Sequence, residues 1–110
     1  MRTNDYSNRI VQQRMRPSIA FARHRADRVA LIARFPVAAP RVFGSALHGT
    51  DREDSDLDLL VDPLKGATLF DLGELQIAAE DLLGVRVDIK TPSELPPGIS
   101  KRILTQAEPL

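Results

Sequence analysis

Phe43-Gly44-Ser45-Ala46-Leu47-His48-Gly49-Thr50-Asp51-Arg52-Glu53-Asp54-Ser55-Asp56-Leu57-Asp58-Leu59-Leu60-Val61-Asp62 is the stretch that decides the fold. Leu57, Leu59 and Val61 alternate with Asp56, Asp58 and Asp62, the period of a strand with one apolar and one polar face, interrupted only by Leu60 on the polar side. Positions i and i+2 share a face, so Asp56 and Asp58 project together. Upstream, Arg41-Val42-Phe43 reads as a short strand entering Gly44. A turn with a short helical stretch follows to Gly49, and Thr50 to Ser55 is a polar, acidic loop.

Toward the N-terminus, Met15-Arg16-Pro17-Ser18 looks like a second beginning, with Pro17 suited to the first turn of a helix. Ile19, Ala22, Ala26, Val29 and Ala33 recur at steps of three and four, which predicts one amphipathic helix to about Phe35 packed on a sheet. Residues 1–14 are read as a flexible N-terminal extension and 15–110 as the folded domain. Toward the C-terminus, Pro63 and Gly66 close the strand, and Thr68 with Asp71 fits a capping box. Leu72, Leu75, Ala79 and Leu82 form the stripe of a second helix ending near Gly84. Val85, Val87 and Ile89 then alternate with Arg86, Asp88 and Lys90 as another strand, and a proline-rich connection leads to a short helix around Ile99 to Leu104. This order predicts a small α+β fold: a short mixed sheet with helices packed on one face.

The chain has 110 residues, 43% of them hydrophobic, enough for one modest core. It has no cysteine, so neither disulfides nor a thiolate zinc site is available, and the expected setting is the cytoplasm. No signal-like apolar run opens the chain, and no stretch approaches the ~20 apolar residues of a membrane span. The formal net charge is zero, which argues against direct nucleic-acid binding carried by phosphate contacts. The charges are nevertheless segregated. Eight arginines stand against Asp5 and Asp27 up to Phe35, and ten acidic residues stand against Arg52 and Lys65 between Asp51 and Asp81.

The strand parity has a chemical consequence. If both apolar strand faces share one core, Asp56, Asp58 and Asp88 lie together on the opposite face. Clustered carboxylates repel and raise one another's pKa until a cation joins them. A hard divalent ion with oxygen ligands suits such a group, and no His or Cys that zinc would favour belongs to it. Asp56 and Asp58 alone could equally be charges that protect a strand edge. Gly44-Ser45 adds a place where backbone can approach a phosphate closely. Gly44 and Gly49 have the spacing of a P-loop, but Thr50-Asp51 stands where Lys-Ser/Thr is required, which excludes that motif.

Gly44-Ser45, ten intervening residues and Asp56-Leu57-Asp58 on an alternating strand resemble the signature of the polymerase β-like nucleotidyltransferase superfamily. From Met15 to Leu110 the chain is similar to the minimal nucleotidyltransferases, the MntA-type antitoxins. The resemblance implies that Gly44 and Ser45 hold nucleotide phosphates and that Asp56, Asp58 and Asp88 are catalytic carboxylates binding Mg2+ (or Mn2+), with ATP as substrate. It further implies a partner, an α-helical HEPN ribonuclease toxin, whose tyrosine receives AMP, and an oligomer formed with that toxin. Two other readings remain open. One is an antitoxin that only covers its partner, through the Ile19-Ala22-Ala26-Val29 stripe or the basic tail. The other is a transferase acting on a small molecule. Many relatives carry arginines after Gly-Ser where this chain has Ala46 and His48. His48 reads as an exposed turn residue, His24 as non-catalytic, and Ser55 as a residue ordering the loop before Asp56.

Overall fold

Strand β1 (Val37–Phe43) pairs antiparallel with β2 (Leu57–Pro63), Phe43 lying opposite Asp58 and Val42 opposite Leu59. Strand β3 (Val87–Lys90) joins β2 in parallel, and a two-residue β4 (Glu108–Pro109) joins the far edge of β1, giving the mixed order β3-β2-β1-β4. The structure, a computed structural model, describes residues 15–110, so the extension expected over residues 1–14 lies outside the described residues.

Leu57, Leu59, Val42 and Val87 face one side of the sheet and are nearly inaccessible. Against them pack Ala20 of α1 (Pro17–Arg23) and Ala79 and Leu83 of α4 (Leu69–Leu83). Helix α2 (Arg25–Ile32) lies alongside α4 in the same layer. The capping box of α4 is formed as expected. The Asp71 amide donates to the Thr68 hydroxyl, and the Thr68 amide donates to the Asp71 carboxylate at 2.8 Å. Thr68→Ala is expected to cost about 1 kcal/mol in urea denaturation.

The single first helix of the sequence reading is two helices. At His24 the backbone leaves the helical region (φ −118°, ψ 36°), and the Phe21 carbonyl accepts from both the His24 amide and the Arg28 guanidinium. Arg28 itself is buried, its guanidinium 3.6 Å from the centroid of the Phe21 ring. The expected stripe is also corrected: Ile19, Ala22, Ala26, Val29 and Ala33 are all exposed. Ile32 is buried and Leu31 partly so. Each removes more apolar area from water than an alanine, so their side of α2 turns inward.

Three boundaries shift as well. β1 begins at Val37, because Pro40 sits at a bulge between Ala38 and Arg41 where no ladder hydrogen bond is needed; Ala39 there has φ 49°. β3 begins at Val87, with Val85 buried just outside it. The last helix, α5, spans Pro97–Gln106.

Leu60, the residue that interrupted the alternation, is wholly buried. It forms a second, smaller cluster with Phe43 and Leu95, over which Ile103 of α5 and Ala107 pack. The C-terminal segment thus covers part of the sheet face opposite the main helical layer. Among the described residues, no helix is long and apolar enough to cross a membrane.

Candidate active site

The face of β2 and β3 turned away from the main core carries Asp58, Asp62 and Asp88. In the parallel register Asp58 stands directly beside Asp88, and Leu60 beside Lys90. Asp56, one residue before β2, is exposed. Burial first, and then the charges of Asp88 and Asp56, push the Asp58 carboxyl up to about 6, with Lys90 working the other way. Asp56 is 3.0 Å from Arg86 and Asp88 is 3.3 Å from Lys90. Among the described residues Asp58 has no ion pair of its own.

Gly44 is where β1 meets this group. Its φ of +75° belongs to the left-handed region. A Cβ there would lie 2.3 Å from the Asp58 Oδ2, so the glycine lets the carboxylate rest against the backbone of the turn. Ser45 follows as the second residue of α3 (Gly44–His48), whose left-handed Gly49 returns its amide to the Ser45 carbonyl. Ala46 and Leu47 seat α3 on the main core, whereas His48 is exposed. The side chain at position 46 is therefore a packing residue.

The loop from α3 to β2 is held at several points, among them the Asp54 carbonyl, which accepts from the Arg86 guanidinium, and two that matter most here. The Arg52 amide donates to the Ser55 hydroxyl at 2.9 Å, so Ser55 does order the approach to Asp56. The second point was hidden in the sequence within an acidic run. The Asp51 side chain is fully buried and accepts from the Ser18 amide at 2.8 Å and from Arg16 at 3.0 Å. Arg16 also donates to the carbonyls of Gly49 and Asp51. Burial alone would raise the Asp51 carboxyl, but the Ser18 and Arg16 contacts outweigh it and hold it below the usual range. Asp51 thereby serves the N-terminus of α1 from 33 residues away and ties α1 to the end of the Gly-Ser turn. Asp51→Ala is expected to cost about 2–3 kcal/mol, read by urea denaturation, because Arg16 and the Ser18 amide lose their acceptor. The depressed pKa sets the sign with pH: this contribution is present above the ordinary carboxylate pKa and lost as pH falls below it.

The donors on this face are all carboxylate oxygens, and their mutual repulsion at Asp58 is only partly neutralised, which fits a hard divalent cation. Among the described residues, no group of three or more His, Cys, Asp and Glu side chains is arranged to hold a metal ion. In this arrangement Asp56 pairs with Arg86 and Asp88 with Lys90.

Residues 28–108 match the nucleotidyltransferase domain family. The protein adenylyltransferase MntA of Thermococcus cleftensis is 42% identical over 81 residues, covering 74% of this chain and 82% of that protein. A candidate protein adenylyltransferase of Methanocaldococcus jannaschii is 33% identical over 79 residues, 72% of this chain and 85% of that protein. A solved structure described as a minimal nucleotidyltransferase is similar at TM-score 0.75 and 46% identity, over 87% of this chain and 97% of that one. A toxin-antitoxin structure with AMP-PNP shares the fold at TM-score 0.63 and 20% identity, over 74% of this chain and 67% of that one.

Proposed function

Because this chain belongs to the nucleotidyltransferase domain family and is a nucleotidyltransferase, we propose that it is an antitoxin that transfers AMP from Mg-ATP to a tyrosine of a cognate HEPN toxin. The observation that carries this reading is the strand register that sets Asp58 beside Asp88 and against Gly44, within a chain 42% identical to a protein adenylyltransferase.

Asp56, Asp58 and Asp88 would hold the divalent cation, which when bound supplies Lewis-acid stabilisation of charge on the phosphoryl oxygens. The turn at Gly44-Ser45 offers backbone and hydroxyl donors to the triphosphate. Asp88 accepts the proton of the tyrosine hydroxyl. The phenolic oxygen bonds to the α-phosphorus as the bond to pyrophosphate breaks, so the products are an adenylylated tyrosine and pyrophosphate.

Incubating the cognate toxin with the chain and Mg-ATP, then weighing the toxin, tests the proposal. A gain of one or more AMP units on a tyrosine is expected with wild type and none with Asp58→Ala; an unchanged mass with wild type refutes it. A second reading, neutralisation by binding alone, draws on the pairing of Asp56 and Asp88 with cations. Under that reading Asp56→Ala and Asp58→Ala variants would still protect cells from the toxin.

A further inference from the structure

Lys90 is a cation set among the candidate carboxylates, and the steps above give it no task. It lies two residues after Asp88 on β3, so both side chains leave the same face of the sheet. Its ammonium is 3.3 Å from the Asp88 Oδ2, and its charge also acts on Asp58. Across the parallel ladder it stands beside Leu60, where the open face gives way to the cover formed by Leu95 and Ile103.

A triphosphate keeps net negative charge after one divalent ion has bound it, so a face that already carries three carboxylates needs cations of its own to receive it. The turn after Gly44-Ser45 supplies no Lys or Arg: Ala46 and Leu47 pack on the main core, and His48 is exposed. The nearby arginines are engaged elsewhere. Arg16 holds Asp51, Arg41 is 2.7 Å from Asp62, and Arg52 is 84% exposed on the loop. Arg86 braces the approach to β2. Its guanidinium meets Asp56 and the Asp54 carbonyl, and its own carbonyl accepts from the Leu57 amide at 2.8 Å. Lys90, by contrast, has Asp88 as its one ion-pair partner among the described residues. A lysine is a compact charge on a flexible stem, suited to changing partners.

We infer that Lys90 is a substrate-binding residue that exchanges partners, from Asp88 in the free protein to a triphosphate oxygen when the metal-nucleotide binds. The inference rests on the reading of this face as a metal-nucleotide site. Free metal has to compete with the ammonium for Asp88, because two cations on one carboxylate repel each other. When a triphosphate accompanies the metal, Lys90 has an anion to move to and the competition ends. The ion pair of Lys90 with Asp88 is then a resting state. Asp88 becomes available to a metal or a proton only in the presence of substrate.

Binding measurements on the full chain without toxin test this, because removing the charge should have opposite effects on two probes. Lys90→Met keeps the apolar stem and is expected to bind free Mn2+, read by loss of the aqueous Mn2+ EPR signal, about threefold more tightly than wild type. The same variant is expected to bind Mg2+ with α,β-methylene-ATP, which cannot release pyrophosphate, at least about tenfold more weakly by calorimetry. Lys90→Gln repeats both shifts, with circular dichroism confirming the fold of each variant, and Lys90→Arg, which keeps the charge, recovers most of the nucleotide affinity. Unchanged nucleotide affinity in Lys90→Met overturns the inference, and so does a parallel loss for both probes, which a merely structural lysine would give. If Lys90→Met binds the nucleotide as wild type does and wild type still adenylylates the toxin, only the role of Lys90 falls. If wild type binds no metal-nucleotide, the reading beneath it falls as well.

Discussion

Asp58→Asn is expected to abolish AMP transfer while making the protein more stable. The carboxylate is the most central of the three, and its loss should lower the transfer rate by about 10³-fold, measured as adenylylated toxin per unit time. The same side chain is a liability to the fold, since burial and the charges of Asp88 and Asp56 raise its pKa to about 6. A raised carboxyl pKa means that the folded state prefers the protonated form. The penalty is absent well below the ordinary carboxylate pKa, grows as pH rises toward 6, and is complete above it. Asparagine removes it. A gain of about 1–2 kcal/mol is expected at pH 7.5, allowing for partial solvent screening, and almost none at pH 3.5. Thermal unfolding without added metal, at the two pH values, measures the difference. An equal gain at both would show that the charge of the half-buried Asp58 carboxylate, disfavoured first by burial and then by Asp88 and Asp56, is not the cause.

Gly44→Ala is expected to be nearly as damaging to transfer, for a geometric reason. The added methyl demands a left-handed residue with a side chain, at a cost of about 1–2 kcal/mol, and it occupies the place of the Asp58 carboxylate. Moving that group by even about an ångström costs on the order of 10² in rate. Because the charge of Asp58 is retained, the stability gain of Asp58→Asn should not appear. The two substitutions therefore separate a carboxylate that is missing from one that is displaced. A normal rate in Gly44→Ala with Mg-ATP and toxin would detach the glycine from the site.

The core of this arrangement was legible because a strand has only two faces. Counting alternate residues through Asp56, Asp58 and Asp88 put them on one side; the register sets Asp58 beside Asp88, while Asp56 lies one residue before β2 and outside the ladder. Leu60 was the exception that counting flagged and could not explain. Its cover comes from Leu95 and Ile103, and a pattern internal to one strand does not reveal which distant residues will close over it. The first helix misled for a related reason. A stripe of Ile, Ala, Ala, Val and Ala has the right period, but period does not say which face wins burial, and Leu31 and Ile32 offered more area. The break at His24 depends on Arg28 folding back onto Phe21, a contact without a local signature. Asp51 was the costliest omission. Within an acidic loop it looked like one charge among many, and only the folded chain brings it to Arg16 and Ser18.

The parallel pairing of β2 with β3 also bears on when the site exists during synthesis. β1 and β2 are consecutive antiparallel strands joined through α3 and one loop, so Gly44 and Asp58 meet with only fourteen residues of sequence separation. Asp58 and Asp88 are about thirty residues apart, joined through all of α4, so closing them costs more chain entropy. They also repel as they approach. Strand β3 is thus expected to dock late, and a nascent chain has half a site until α4 has folded back across the sheet. Full affinity for a metal-nucleotide then becomes a report on completed folding.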